Sequence, residues 1–219
     1  MKERAMKRRA FSALTVSAMA TLTAVPSWAQ APSFKEGTDY LTLKNRVATD
    51  VGKGKIEVLE FFWYNCPHCN AFEPALSAWS KKLPKDVMLK RVPVRFREDF
   101  EPQQRAFYVL EALGKVEELQ AKMFAAIHVE KQNLAKLDTL LIWAEKNGIP
   151  SKQFSDLYNS FAVIGKARQA AKLQEDFKVE GVPALGIGGR FYVDGSLAGS
   201  MERALQITDF LISDLRKGR

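Results

Sequence analysis

The only two cysteines among 219 residues, Cys66 and Cys69, are separated by Pro67 and His68, and they sit where one hydrophobic period gives way to another. Upstream, Ile56-Glu57-Val58-Leu59-Glu60-Phe61-Phe62 is rich in β-branched and aromatic residues and predicts a buried strand. Downstream, Phe72, Leu76, Trp79 and Leu83 recur at helical spacing and predict a helix over 67–83. Both sulfurs therefore fall at a strand-to-helix junction. Any disulfide within the chain joins these two residues.

That position constrains the thiol chemistry. Asn65 is the expected N-cap, and Pro67 suits the first helical turn, where its missing N–H would have gone unpaired anyway. Cys66 then lies at the helix N-terminus, where unpaired N–H groups and the positive end of the helix dipole favour thiolate over thiol. A cationic His68 adds to this. Cys69, one turn further in and flanked by apolar residues, is expected to be the less exposed, resolving partner. A zinc site would need two more good ligands, and the only other histidine is the distant His128, read here as a helix C-terminal cap or surface residue. A purely structural disulfide across so short a loop would remove little chain entropy.

Residues 1–29 read as a secretory signal peptide. Lys2, Arg4, Lys7, Arg8 and Arg9 precede a moderately apolar run from Phe11 to Val25, followed by small residues at Ser27, Ala29 and Ala31. Cleavage is expected after Ala29, with Ala31 the alternative, and by the general secretory route in preference to the twin-arginine route. An exported chain reaches an oxidising compartment, where a disulfide persists. Five basic residues and one acidic residue lie within 1–31, so the rest of the chain carries about +4 instead of +8. A local cluster at Lys90, Arg91, Arg95 and Arg97 reads as a solvated strand and loop, and no nucleic-acid partner is expected.

The remaining elements can be placed in order. A short strand is expected at 40–43 and another at 87–94, so that 56–94 forms a β-α-β unit with parallel strands. From 98 to 177 the signals are helical, with candidate helices at 103–113, 116–128, 137–147, 151–158 and 161–177. Strands at 181–187 and 190–193 then make an antiparallel hairpin about Gly188-Gly189, and a last helix spans 200–215.

A CxxC opening the helix of a β-α-β unit, a helical insertion, then Val-Pro heading a hairpin and a final helix, is similar to the α/β thioredoxin-like layout. Within it the chain resembles the DsbA family of periplasmic thiol:disulfide oxidoreductases, through Val58–Phe62 leading into Cys66-Pro67-His68-Cys69 and through Gly181-Val182-Pro183-Ala184. The resemblance implies two thioredoxin-like segments, 30–97 and 178–219, around a helical insertion at 98–177. It implies that Cys66 is the nucleophile and Cys69 the resolving thiol, with Pro183 a cis-proline facing them and Val182 offering its backbone to substrate. Glu60 matches the family's buried carboxylate, with Arg91, or else Lys90, as its partner. The implied activity is donation of the Cys66–Cys69 disulfide to reduced, unfolded exported proteins, by a monomer with no organic cofactor. A quinone-linked membrane oxidase of the DsbB type would reoxidise it. The alternatives are a disulfide isomerase or reductase on the same fold, and a non-catalytic peptide-binding chaperone.

Overall fold

Seven consecutive residues of which six are buried, Ile56–Phe62, form the strand on which the site is built. A computed structural model describes residues 33–218, so the expected signal peptide and its cleavage site lie outside the described residues. The elements run β1 (Leu41–Thr42), β2 (Ile56–Phe62), α1 (Pro67–Ser80), β3 (Val87–Pro93), α2 (Glu101–Ala112), α3 (Val116–His128), α4 (Leu137–Lys146), α5 (Ser151–Tyr158), α6 (Phe161–Asp176), β4 (Ala184–Ile187), β5 (Phe191–Asp194), α7 (Gly195–Ala198) and α8 (Met201–Arg216). The five strands form one sheet in the order β1-β5-β4-β2-β3. β2 and β3 pair in parallel across the α1 crossover, and every other pairing is antiparallel.

The sheet has a core on each side. Val58, Leu185, Ile187 and Val193 pack with Phe72 and Leu76 of α1 and with Leu205, Ile207 and Leu211 of α8. Leu59 and Phe61 point the other way and share a core with Phe107, Leu110, Met123, Phe124 and Trp143 of the helices between β3 and β4. Those helices have no separate core, so a change in their packing is transmitted to β2.

Most boundaries fall within a residue or two of the sequence-based expectation, and the departures have local causes. α1 ends at Ser80, three residues early, because Pro84 disfavours helical backbone before it. Gly181-Val182-Pro183 stays out of the ladder, where Pro183 has no N–H to give. The α7 turn was not anticipated. Asp194 caps it, its Oδ1 accepting the Ser196 and Leu197 N–H groups at 2.9 Å each.

Between β4 and β5 a β-turn is closed by the Arg190 N–H donating to the Ile187 carbonyl at 3.0 Å, and both of its corner residues, Gly188 and Gly189, have positive φ, as a type I′ turn requires. At Gly189 the backbone conformation is joined by a steric demand, because a Cβ there would lie 2.0 Å from the Val47 carbonyl oxygen. Gly54 also has positive φ, +82°, but faces open space. Gly189→Ala is therefore expected to destabilise the protein by at least about 2 kcal/mol, and Gly54→Ala by about 1 kcal/mol, as urea melts would measure. Equal effects would mean that the close approach at Val47 is unimportant.

Candidate active site

Cys66 itself is the N-cap of α1. Its backbone is extended (φ −77°, ψ 117°), and its sulfur accepts the Cys69 N–H at 3.3 Å. Asn65, expected in that role, instead accepts a bond from Gln103 Nε2 at 2.7 Å. Pro67 is the first helical residue, as expected. Both cysteines are thiols in this structure. Cys69 is fully buried, and Cys66, although 7% exposed, is far more recessed than a surface sulfur. His68 and Pro67 stand exposed beside it.

The two thiols are driven apart electrically. The Cys66 pKa is lowered to about 6, chiefly by the hydrogen bond from the Cys69 thiol, helped by the Cys69 and His68 N–H groups and opposed by burial. The charge of His68 is the smallest of these influences. Cys69 moves the other way: burial, then the Cys66 sulfur itself, raises its pKa strongly, and the charge on Glu60 adds to this. Opposite Cys66, the Val182 carbonyl accepts its S–H at 3.4 Å, and the Val182-Pro183 bond is cis. His68, Val182, Pro183, Asp194 and Met201 line a groove of about 450 Å³ beside the sulfur.

Beneath the thiols lies a three-charge cluster. Glu60 on β2 and Arg91 on β3 are register partners in the parallel pair, so their side chains meet on one face. Arg91 Nη1 donates to Glu60 Oε2 at 2.6 Å and to Glu73 Oε2 at 2.7 Å, and Nη2 donates to Glu73 Oε1 at 2.8 Å. Lys90, the alternative partner, points to the opposite face and pairs with Asp50 and Glu57. The basic cluster is therefore not simply a solvated strand, since Arg91 is partly buried between two carboxylates. Burial raises the Glu60 pKa to about 7 against the pull of Arg91, and the charge on Glu73 adds to the rise. Glu60 Oε1 is buried with no hydrogen-bond partner among the described residues.

Sequence reading missed Glu73 and the residues behind the active-site turn. Glu73 falls on the buried stripe of α1 with Cys69, Phe72 and Leu76, and that spacing was the available signal. His128, expected to be a helix C-terminal cap or surface residue, is the half-buried last residue of α3, with Val129 the C-cap, and its Nε2 lies 2.7 Å from the Tyr64 carbonyl oxygen. The Tyr64 hydroxyl donates to Gln120 Oε1 at 2.6 Å. Nothing local in the sequence links positions 64 residues apart.

Comparisons with known proteins agree with this geometry. Residues 57–206 match the family model of the DSBA-like thioredoxin domain. The thiol:disulfide interchange protein DsbA of Burkholderia cepacia is 38% identical over 180 residues, covering 82% of this chain and 85% of its own. The crystal structure of Pseudomonas aeruginosa DsbA is similar with a TM-score of 0.80 at 36% identity, covering 84% of this chain and 96% of that one. The oxidoreductase DsbA from Xylella fastidiosa gives a TM-score of 0.78 at 30% identity, covering 85% and 99%. With a thioredoxin-like fold, a capped CxxC thiol and these relatives, the chain belongs to the DsbA family of thiol:disulfide oxidoreductases.

Proposed function

We propose that this enzyme works as an exported dithiol oxidase of the periplasm, a monomer that passes a Cys66–Cys69 disulfide to reduced, unfolded proteins. The observation that carries this reading is the opposite ionisation of two thiols one helical turn apart. A substrate thiolate attacks Cys66 Sγ, the sulfur with an open face. A substrate–Cys66 disulfide forms as the Cys66–Cys69 bond breaks, and Cys69 leaves with the electron pair and takes up a proton. The substrate's second thiolate then attacks its own sulfur in the mixed disulfide and expels Cys66 as a thiolate. The substrate loses two electrons and the enzyme gains them. Val182 offers its backbone to the extended substrate beside Pro183, and the adjoining groove holds the flanking residues. The redox-active disulfide suffices without an organic cofactor, and a quinone-linked membrane oxidase of the DsbB type removes the two electrons.

Stabilising the Cys66 thiolate favours the reduced enzyme and so makes its disulfide oxidising. Equilibration with glutathione tests this. A potential as reducing as that of a thioredoxin would sink the oxidase reading and leave a reductase.

The same ionisations set the pH dependence of stability. A Cys66 pKa depressed to about 6 stabilises the reduced fold fully above the unfolded thiol value, about 8.5, and that contribution is lost as pH falls through the folded value. Cys69, raised, acts oppositely. As pH passes the unfolded value, the unfolded chain releases this proton and the folded chain does not. The stability of the reduced form relative to the oxidised form should therefore climb by about 1.4 kcal/mol per pH unit between roughly pH 6 and 8.5, then turn downward. Paired denaturant melts across pH 5–10 would show the peak, and a flat difference would contradict the ionisation pattern.

We assign to Glu60 the exchange of the Cys69 proton, a reading supported by its charge raising the Cys69 pKa, by its oxygen Oε1 without a partner among the described residues, and by its own pKa of about 7. A carboxyl raised from 4.5 to about 7 contributes stability that is fully present below the unfolded value and lost as pH rises through the folded one. Glu60→Gln should accordingly be more stable than the parent by about 3 kcal/mol at pH 8, with the gain gone below about pH 4.5. Its thiol-exchange rate should be lower and lack an inflection near pH 7. Parental kinetics with parental pH dependence would remove Glu60 from the proton path.

A further inference from the structure

The short bridge between β2 and α1 is held from outside the sheet. Trp63 to Cys66 form a β-turn with Tyr64 and Asn65 at its corners, closed by the Cys66 N–H donating to the Trp63 carbonyl at 3.0 Å. In such a turn the peptide between the corners is the adjustable part. Rotating it converts type I to type II and sends the second corner residue to positive φ. Asn accepts that conformation more readily than other non-glycine residues, so Asn65 gives this turn the capacity to flip. It is not flipped here: among the described residues only Lys131 and Lys178 are non-glycine residues with positive φ.

The carbonyl of that corner peptide belongs to Tyr64, and His128 grips it at 2.7 Å. A carbonyl only accepts, so His128 Nε2 carries the hydrogen. The corners are fixed as well. Gln103 Nε2 reaches both Asn65 Oδ1 at 2.7 Å and the Leu134 carbonyl at 3.3 Å. The Tyr64 ring is clasped by Phe62 and Phe124, with ring centroids 5.1 and 5.2 Å away. We propose that His128 is a positioning residue for the redox reaction, locking the Tyr64–Asn65 peptide against flipping and thereby fixing the direction in which Cys66 joins α1. The proposal rests on Cys66 being the attacking sulfur.

A flipped peptide would strand the His128 N–H and swing the Asn65 backbone. Cys66 would leave the extended geometry in which its sulfur meets the Cys69 N–H. The thiolate draws part of its stability from that N–H. The disulfide does not, because a covalent bond already holds its sulfurs together. Loosening the turn therefore harms the reduced form more than the oxidised one.

His128→Ala removes the donor, and His128→Gln supplies an amide N–H in its place. In His128→Ala the Cys66 thiolate, followed by absorbance at 240 nm, should form at higher pH than in the parent. The equilibrium with glutathione should move two- to tenfold toward oxidised enzyme, the range one hydrogen bond supplies. His128→Gln should recover part of both shifts. Asn65→Gly, which removes the steric resistance to positive φ, should reproduce them with the helical core untouched, and it decides the matter if His128→Ala does not fold. Equal loss of stability in both redox forms, with unchanged thiolate titration and glutathione equilibrium, would reduce His128 to a structural tether and overturn the proposal. The oxidase reading fails by a different result, a parental enzyme whose equilibrium with glutathione is as reducing as that of a thioredoxin.

Discussion

A single N–H pointing at sulfur organises this molecule. The first turn of any helix leaves backbone donors without partners, and here the atom that answers one of them is Cys66 Sγ. Capping and reactivity thus become one property. The donor that is capped at the start of the helix also helps, after the Cys69 thiol, to hold the sulfur in its charged state. The buried strand β2 is needed because it anchors the turn that delivers Cys66. Pro67 is suited to its place because the first helical position has no use for an N–H.

The charge cluster beneath the thiols follows from sheet register. Parallel pairing sets Glu60 opposite Arg91, and the crossover helix that makes parallel pairing possible brings Glu73 to the same guanidinium. One cation between two carboxylates cannot fully satisfy both when one of them is completely buried. The shortfall is expressed as a carboxyl poised near neutrality, and a single better-matched ion pair would not have that property.

Much of this was legible in the sequence where the signal is local and periodic. The bounds of β2, α3 and α5 coincide with those expected from their apolar patterns, and once the family resemblance had singled out Glu60, the next strand offered Arg91 as its partner, with Lys90 second. The site was less legible where chemistry overrode propensity. Asn is a strong capping residue and cysteine is not, so Asn65 was the expected cap, yet its side chain is engaged by Gln103. Glu73 was hidden within an apolar stripe. His128 carries no local sign of its partner, because the contact with Tyr64 depends on how α3 packs behind the turn and not on any spacing within α3.

The recess around Cys66 has a consequence for which proteins can be served. With 7% of its surface open and the Val182 carbonyl on one flank, this sulfur can be approached only by a thiol at the tip of a slender, pliable stretch of chain. A cysteine already sunk in a finished core cannot make that reach. On the oxidase function proposed above, such a site would discriminate by conformation, because an unfinished chain can make that reach.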